Sequence, residues 1–221
     1  MPANLPLDPG AARAIEARVA AVEARTGIQI VCAVHARSDT YPEVPWHAFA
    51  LGVVVTAFTT TLADLLWPAW SMPATLLLHS TLVLAVGASC AITTLFSATV
   101  ARLFVGRARR ATEVRERARS VFVDHALHST HARTGVLLYV SLFERALEVV
   151  ADRGFDGRVS TEAWNDIARA MQPALAEGDC QRALIDGLDV LEDRLQAAGF
   201  RDGGSRRNEL ADAPLQERGA A

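Results

Sequence analysis

Two long apolar runs stand in the middle of a chain whose flanks mix polar and apolar positions. The first run, 47–66, has ionisable residues only near its two ends, His47 and Asp64. The second run, 74–101, contains no Asp, Glu or Arg, and its His79 lies near the start, where an interfacial histidine is expected. Each run is long enough to cross a bilayer core of about 30 Å as a helix. The pattern therefore predicts two membrane-spanning helices.

The link between the runs, WPAWSMP (67–73), is uncharged and too short for anything but a turn between antiparallel helices. Trp67 and Trp70 are typical of the lipid headgroup level of a membrane. Pro68 and Pro73 are typical of a turn that ends one helix and starts the next. Arginines collect on cytoplasmic flanks, and seven follow the second run. We therefore expect a transmembrane hairpin in the inner (cytoplasmic) membrane, with both polar segments in the cytoplasm. The arginines are Arg102, Arg107, Arg109, Arg110, Arg115, Arg117 and Arg119.

The segment before the hairpin predicts one helix and one strand. Asp8 is a candidate N-cap, apolar residues then recur at helical spacing, and Gly27 suits the end of the helix. The sequence IQIVCAV (28–34) is apolar on both faces, which predicts a buried strand. This segment alone has too little apolar surface to form a core, so we expect the strand to join a later sheet. Ile28, Ile30 and Val34 are expected beside Val136, Leu138 and Val140.

The segment after the hairpin predicts the remaining helices and strands. Residues 107–130 form an amphipathic pattern, and GVLLYVSL and ALEVVAD predict two strands joined by a short turn. Two helices follow, the first of which Pro173 should kink or split near Gln172. The residues from 201 onward are polar and glycine-rich, which predicts a flexible tail. The stripe of the amphipathic helix comprises Val114, Ala118, Val121, Phe122 and Ala126.

Together these elements predict an α/β fold in which a small sheet is sandwiched by helices and is interrupted by a two-helix transmembrane hairpin. The predicted boundaries are 1–45 for the first helix and strand, 46–104 for the hairpin, 105–200 for the rest of the α/β domain and 201–221 for the tail. A hydrophobic share of 51% with 21% charged residues agrees with a membrane protein. A net charge of −3 gives no reason to expect nucleic acid as a partner.

The turn after the second strand, DRGFDGRVS, is the best candidate for a ligand site. Asp152 and Asp156 lie near a strand end, where carboxylate oxygens suit calcium or magnesium, and Gly154 and Gly157 let the backbone approach a ligand. The EF-hand pattern is not met, because Ala163 stands where its last glutamate should be. Asp-Gly pairs are also common in ordinary turns. The prediction is a divalent-cation site on the two aspartates, with a plain turn as the alternative.

Other candidate chemistry is weaker. His125, His128 and His131 recur at every third position, but a zinc site needs three or four converging ligands. The sequence contains no GxSxG, HExxH or P-loop pattern. The three cysteines are widely spaced, which disfavours a disulfide framework.

Four stretches in order resemble the TPM domain family: EARTGIQIVCAV (23–34), HSTHARTGVLLYVSLFERALEVVADRG (128–154), LAEGD (175–179) and ALIDGLDVLEDRL (183–195). That family includes thylakoid phosphatase and photosystem II repair proteins and many bacterial membrane proteins. The resemblance implies a small α/β sheet sandwiched by helices. For function it implies phosphatase activity, photosystem repair or regulation of a partner.

Two functions remain open at this point. The first is a membrane-anchored interaction or regulatory module that binds a protein partner at the inner face of the membrane. The second is a weak metal-dependent phosphatase. The absence of a recognisable acid, base and nucleophile favours the module. A third carboxylate converging with Asp152 and Asp156 would favour the phosphatase.

Overall fold

The computed structural model describes residues 7–67, 73–201 and 210–217, and the chain forms two compact units. One unit comprises Met1–Thr40 and Arg110–Ala221, and the other comprises Tyr41–Arg109. Trp70 and Pro68, which the sequence places in the turn of the hairpin, lie outside the described residues.

The first unit is built on a four-stranded sheet in the order β3-β2-β1-β4. Its strands are β1 (Gln29–His35), β2 (Gly135–Ser141), β3 (Ala146–Ala151) and β4 (Leu215–Glu217). β1 runs parallel to both β2 and β4, whereas β2 and β3 form an antiparallel hairpin.

The pairing of β1 with β2 joins the two polar segments of the chain in one sheet. Ile30 lies opposite Val136, and Val34 lies opposite Val140. Every residue of the two strands is buried, as expected of parallel strands covered on both faces. The prediction that the strand before the hairpin joins the later sheet is confirmed.

Helices cover both faces of this sheet. The first unit contains α1 (Pro9–Thr26), α6 (Thr161–Glu177) and α7 (Cys180–Ala197). It also contains α5 (Arg107–Asp124) from Arg110 onward. Residues of α1, α6 and α7 form the larger core with one face of β1 and β2. The apolar stripe of α5 packs on the opposite face. The predicted α/β sandwich is confirmed.

Two helices differ from their predicted form. α5 ends at Asp124, and Ala126 is exposed with a left-handed φ of 53°, so it does not extend the apolar stripe. α6 is one helix through Pro173, so it does not split near Gln172. Proline removes only one backbone donor, and the flanking Met171 and Ala174 are buried in the core, which holds the helix together.

β4 lies within the predicted tail. Leu215–Glu217 pair with Ala33–His35 of β1, and Leu210 and Leu215 pack against the smaller core. A polar, glycine-rich composition does not reveal a strand of three residues, because such a short pairing depends on the edge that receives it. The tail is therefore ordered at 210–217, where we predicted flexibility.

The second unit contains α2 (Val44–Leu66), α3 (Pro73–Phe96) and α4 (Ala98–Phe104). The second apolar run was predicted as one helix over 74–101, but it breaks at Ser97, which has extended backbone angles and caps α4 through its side chain. Val44–Leu66 and Thr75–Phe96 are long and apolar enough to cross a membrane.

α2 and α3 pack closely through glycines. A Cβ added at Gly52 would lie 3.1 Å from the Cα of Gly87, and one added at Gly87 would lie 2.8 Å from Val53. Near the other end of the hairpin, Oδ2 of Asp64 lies 3.3 Å from Nδ1 of His79, so the helices run antiparallel. Hydroxyl groups such as those of Thr81, Ser89 and Thr93 donate to carbonyl oxygens four residues earlier in α3.

Candidate functional site

Asp152 and Asp156 flank a short 3-10 turn, Arg153–Phe155, directly after β3. One carboxylate oxygen of Asp152, Oδ1, accepts a hydrogen bond of 2.7 Å from the backbone N–H of Arg153. The other, Oδ2, is buried and has no hydrogen-bond partner among the described residues. Asp156 is exposed at the end of the turn. Asp152 therefore caps the turn and keeps one buried oxygen available.

The glycines of this turn have structural reasons for their positions. A Cβ at Gly154 would lie 2.3 Å from the carbonyl oxygen of Arg133, and the N–H of Gly154 donates to that same oxygen at 2.9 Å. Gly157 has a left-handed φ of 72°, which favours glycine. Within residues 7–67, 73–201 and 210–217, no three His, Cys, Asp or Glu side chains come together as metal ligands. The divalent-cation site on Asp152 and Asp156 thus stays a prediction.

The three histidines of 125–131 do not share a helix face. His125 follows the end of α5, His128 lies in the 3-10 turn Leu127–Ser129, and His131 lies beyond it. The helix ends early because Ala126 takes a left-handed conformation. Their regular spacing therefore does not translate into a common side.

A buried polar cluster lies at the carboxyl ends of β1 and β2, and we call it the strand-end cluster. In parallel sheets these ends are where ligands commonly bind. The ends of the two strands, His35 and Ser141, are neighbours in the register. The cluster comprises His35, Ser38, Arg117, Tyr139, Ser141, Glu144 and Glu217, of which all but Arg117 and Glu217 are buried.

Glu144 is the centre of the hydrogen bonds in this cluster. Its carboxylate accepts from the backbone N–H of Ser38 at 3.1 and 3.3 Å and from the hydroxyl of Ser141. The hydroxyl groups of Ser38 and Tyr139 are 3.0 Å apart. These contacts fix the loop after β1 to the turn after β2.

His35 is the member whose polar atoms are not satisfied. Its side chain is 1% exposed, and neither ring nitrogen has a hydrogen-bond partner among the described residues. The nearest carboxylate oxygen, Oε2 of Glu217, is 3.6 Å from Nδ1, beyond ordinary hydrogen-bond length. That same oxygen accepts a hydrogen bond of 2.6 Å from Nη2 of Arg117. The imidazole and the guanidinium thus face one carboxylate, but only the guanidinium binds it.

Burial sets the proton affinities in the cluster. It lowers the pKa of His35, and the charges of Arg117 and His125 act in the same direction, while Glu217 and Glu144 oppose them. Burial also raises the pKa of Tyr139 to about 12. At neutral pH the imidazole and the phenol are therefore both uncharged.

The arrangement suits binding of a carboxylate better than catalysis. A nucleophilic serine needs a base within hydrogen-bond reach, at about 2.6–3.2 Å. The hydroxyl of Ser141 donates to Glu144, and the nitrogens of His35 bond neither serine. Arg117 and His35 instead present positive charge and N–H donors to an acidic group.

Residues 92–194 match the family model of the TPM domain. Over these residues, which make up less than half of its length, the chain is similar to the TPM domain family. The match confirms the resemblance seen in the sequence. It includes β2, β3, α6 and most of α7, whereas α1, β1 and β4 lie outside it.

A solved structure also resembles this chain. It is the NMR structure of the BA42 protein from the psychrophilic bacterium Bizionia argentinensis, with a TM-score of 0.56 and 16% sequence identity. The alignment covers 96% of this chain and 94% of that protein. At this identity the likeness shows the fold alone. No curated protein matches the chain.

The strand-end cluster contains residues inside and outside the range that matches the TPM domain. Tyr139, Ser141 and Glu144 lie within the matched residues, whereas His35 and Glu217 do not. The cluster was not predicted, because the expected neighbours of the two strands were apolar positions only, the last of which were Val34 and Val140, one residue before His35 and Ser141. The parallel pairing of the two strands brings the residues after those two positions together, as the register of His35 with Ser141 shows.

Proposed function

We propose that the protein is a membrane-anchored TPM domain that acts as an interaction or regulatory module at the inner (cytoplasmic) membrane. The polar segments lie in the cytoplasm, and the hairpin crosses the bilayer twice. The module binds a protein partner through its α/β unit.

The observation that carries the anchoring is the exposed apolar surface of the second unit. Leu76, Leu77 and Leu78 are 63–73% exposed, and Phe96 is 85% exposed. Soluble proteins rarely expose apolar patches of this extent to water, whereas lipid accepts them. The arginines after the second run support the cytoplasmic orientation, because the link 67–73 carries no charge.

The orientation is tested with a reporter fused after Ala221. We expect a reporter that works only in the cytoplasm to be active there, and one that works only outside to be silent. The reverse result would refute the orientation. Extraction of the protein from membranes by alkaline carbonate without detergent would refute the anchoring.

The interaction role rests on the strand-end cluster. Its hydrogen bonds tie up Ser141 and Glu144, while Arg117 and His35 face a carboxylate at the sheet margin. This arrangement supports recognition of an acidic group on a partner better than it supports bond cleavage.

A second candidate function is a weak metal-dependent phosphatase, and the buried free oxygen of Asp152 favours it. Calcium or magnesium would be held by Asp152 and Asp156. A cation that binds only the folded protein stabilises it, by about 2.7 kcal/mol at about 100 times its Kd. We therefore expect millimolar calcium or magnesium to raise the melting temperature of the detergent-solubilised protein.

The control variants separate this site from ordinary capping. Asp152→Asn combined with Asp156→Asn should abolish the rise, because asparagine keeps the acceptor for Arg153 but loses the charge. Asp179→Asn should keep it, since Asp179 also caps a helix, accepting from Arg182 at 2.9 Å, but lies elsewhere. If the wild-type protein shows no shift with either cation, the metal site and the phosphatase function should both be abandoned.

A further inference from the structure

The outer edge of β1 is only partly covered by β4. β2 pairs with β1 along its full length, whereas β4 pairs only with Ala33–His35. Nearer the start of β1, the N–H of Ile30 is capped by the carboxylate of Glu23 at 2.6 Å. A strand edge with free donors and acceptors is a template for pairing with another strand. The backbone donors and acceptors of Ala33–His35, which β4 now pairs, are therefore the part of the edge that only an extended chain can satisfy.

β4 is an edge strand of three residues, and besides its pairing with β1 the side chain of Gln216 accepts a hydrogen bond of 3.1 Å from the N–H of Leu7. The N–H of Ala36 donates to the carbonyl of Glu217 at 3.0 Å, and Arg117 binds its carboxylate. All three residues of β4 are half-buried, and Leu210 and Leu215 are only partly buried against the smaller core. Segments with few buried apolar contacts open at low free-energy cost. β4 is accordingly much easier to release than β1 or β2.

The chain's own tail also leaves the site incompletely satisfied. His35 is buried and pairs with Glu217 of β4, yet its nitrogens make no hydrogen bond among the described residues, and the nearest oxygen of the Glu217 carboxylate is 3.6 Å from Nδ1. A buried polar group without a partner is costly. An acidic side chain that reaches both His35 and Arg117 would relieve that cost. The site thus favours a carboxylate that hydrogen-bonds His35 as well as Arg117, which Glu217 does not do.

We propose that the edge of β1 at Ala33–His35 is a docking groove for an extended acidic segment of a partner protein, and that residues 210–217 occupy it as an internal, displaceable ligand. The proposal rests on the proposed interaction function and names its partner class. The segment adds a strand parallel to β1. It carries an apolar side chain where Leu215 lies and a carboxylate two residues later, on the same side of the strand. That carboxylate binds Arg117 and His35.

The test uses the full-length protein in detergent and a fluorescent peptide, LADAPLQE, which reproduces residues 210–217 with an amidated end. In Glu217→Arg, the arginine faces Arg117, so the tail should leave the edge. We expect this variant to bind the peptide more than about tenfold more tightly than wild type, because the internal ligand no longer competes. Hydrogen exchange at the Ala36 amide should become faster in the same variant.

A charge reversal checks that the carboxylate is recognised. The double variant Arg117→Glu/Glu217→Arg restores opposite charges, so it should hold its own tail again and exclude the peptide. The single variant Arg117→Glu should bind LADAPLQR better than LADAPLQE, which also shows that it is folded. Arg119→Glu, at an exposed position two residues along the same helix, should behave as wild type.

Three results would overturn the proposal. The first is a Glu217→Arg protein whose Ala36 amide stays as protected as in wild type. The second is equal affinity of that variant and wild type for the peptide. The third is a wild-type dimer that the peptide dissociates, which would make a second copy the occupant. Because the peptide measurement is made in detergent, an error in the membrane orientation would leave its result unchanged.

Discussion

At the scale of single residues, Glu23 is a carboxylic acid outside the strand-end cluster whose pKa is raised into the neutral range. It lies on α1, and its carboxylate caps the N–H of Ile30 at the edge of the sheet. Burial raises its pKa to about 7, and the nearby charge of Asp212 acts in the same direction, while the bond from Ile30 opposes them. The folded protein therefore holds a proton on Glu23 that the unfolded chain releases at a lower pH.

The prediction is a loss of stability on the alkaline side. The stabilisation from protonated Glu23 is fully present below its ordinary pKa of 4.5 and is lost as the pH rises through about 7. Glu23→Gln should remove this pH dependence while keeping an oxygen acceptor for Ile30. Melting curves at about pH 5 and about pH 8 measure the effect, and each 1 kcal/mol lost corresponds to about 2–4 °C.

The comparison must be made between wild type and Glu23→Gln, because another residue titrates in the opposite sense. Burial lowers the pKa of His35, so its stabilisation is lost as the pH falls. If the two proteins lose equal stability between the two pH values, Glu23 does not carry the effect.

Residues whose role is local could be predicted from the sequence, and those with distant partners could not. Asp8 and Gly27 cap α1 as expected, since a helix end depends on its immediate neighbours. Glu144 binds Ser38, and their positions are 106 apart in the chain. No pattern within one segment reveals such a contact, which requires the register of β1 and β2.

At the scale of elements, the hairpin depends on the close approach of α2 and α3. Gly52 and Gly87 are the small residues that let the two backbones meet, and membrane-spanning helix pairs commonly use small residues in this way. A Cβ at Gly52 would lie 3.3 Å from the Cβ of Cys90 and 3.0 Å from its Sγ. Disulfides join Cβ atoms about 3.5–4.5 Å apart, so this pair is close to the required geometry.

We predict that Gly52→Cys forms a disulfide with Cys90 within the chain under mild oxidation. The loss of both free thiols, measured by mass spectrometry of the linked peptides, reports the bond. Ala50→Cys is the matched control, because Ala50 is exposed on the same helix. Equal crosslinking of the two variants, or crosslinks only between chains, would contradict the packing of the hairpin.

The elements that the sequence predicted well are those with a strong period or a long apolar run. α1, β1, β2, β3 and the two long apolar helices are of this kind. The breaks were less predictable, since Ser97 separates α3 from α4 whereas Pro173 leaves α6 continuous. Tertiary packing decides both cases, and β4 likewise exists only because the edge of β1 accepts it.

At the scale of the whole molecule, the chain combines an α/β unit with an apolar helical unit inserted between β1 and α5. β1 is needed to complete the sheet, so the sequence around the insertion must return to the same unit. The proposed hairpin, which would cross the membrane twice, meets that requirement, because its two ends would emerge on one side. The composition of the two runs predicted the hairpin. The strand-end cluster could not be predicted from composition, because it depends on the register of β1 and β2.

The most direct test of this account is cysteine labelling with a membrane-impermeant maleimide in intact cells. Burial raises the pKa of Cys32 and Cys180, which keeps both thiols unreactive, and Cys90 lies in the proposed second span. We predict that Ser71→Cys, in the link, is labelled in intact cells, whereas Ser205→Cys, in the tail, is labelled only after permeabilisation. Labelling of Ser205→Cys in intact cells, or protection of Ser71→Cys until permeabilisation, would contradict a hairpin that crosses the membrane with its α/β unit in the cytoplasm.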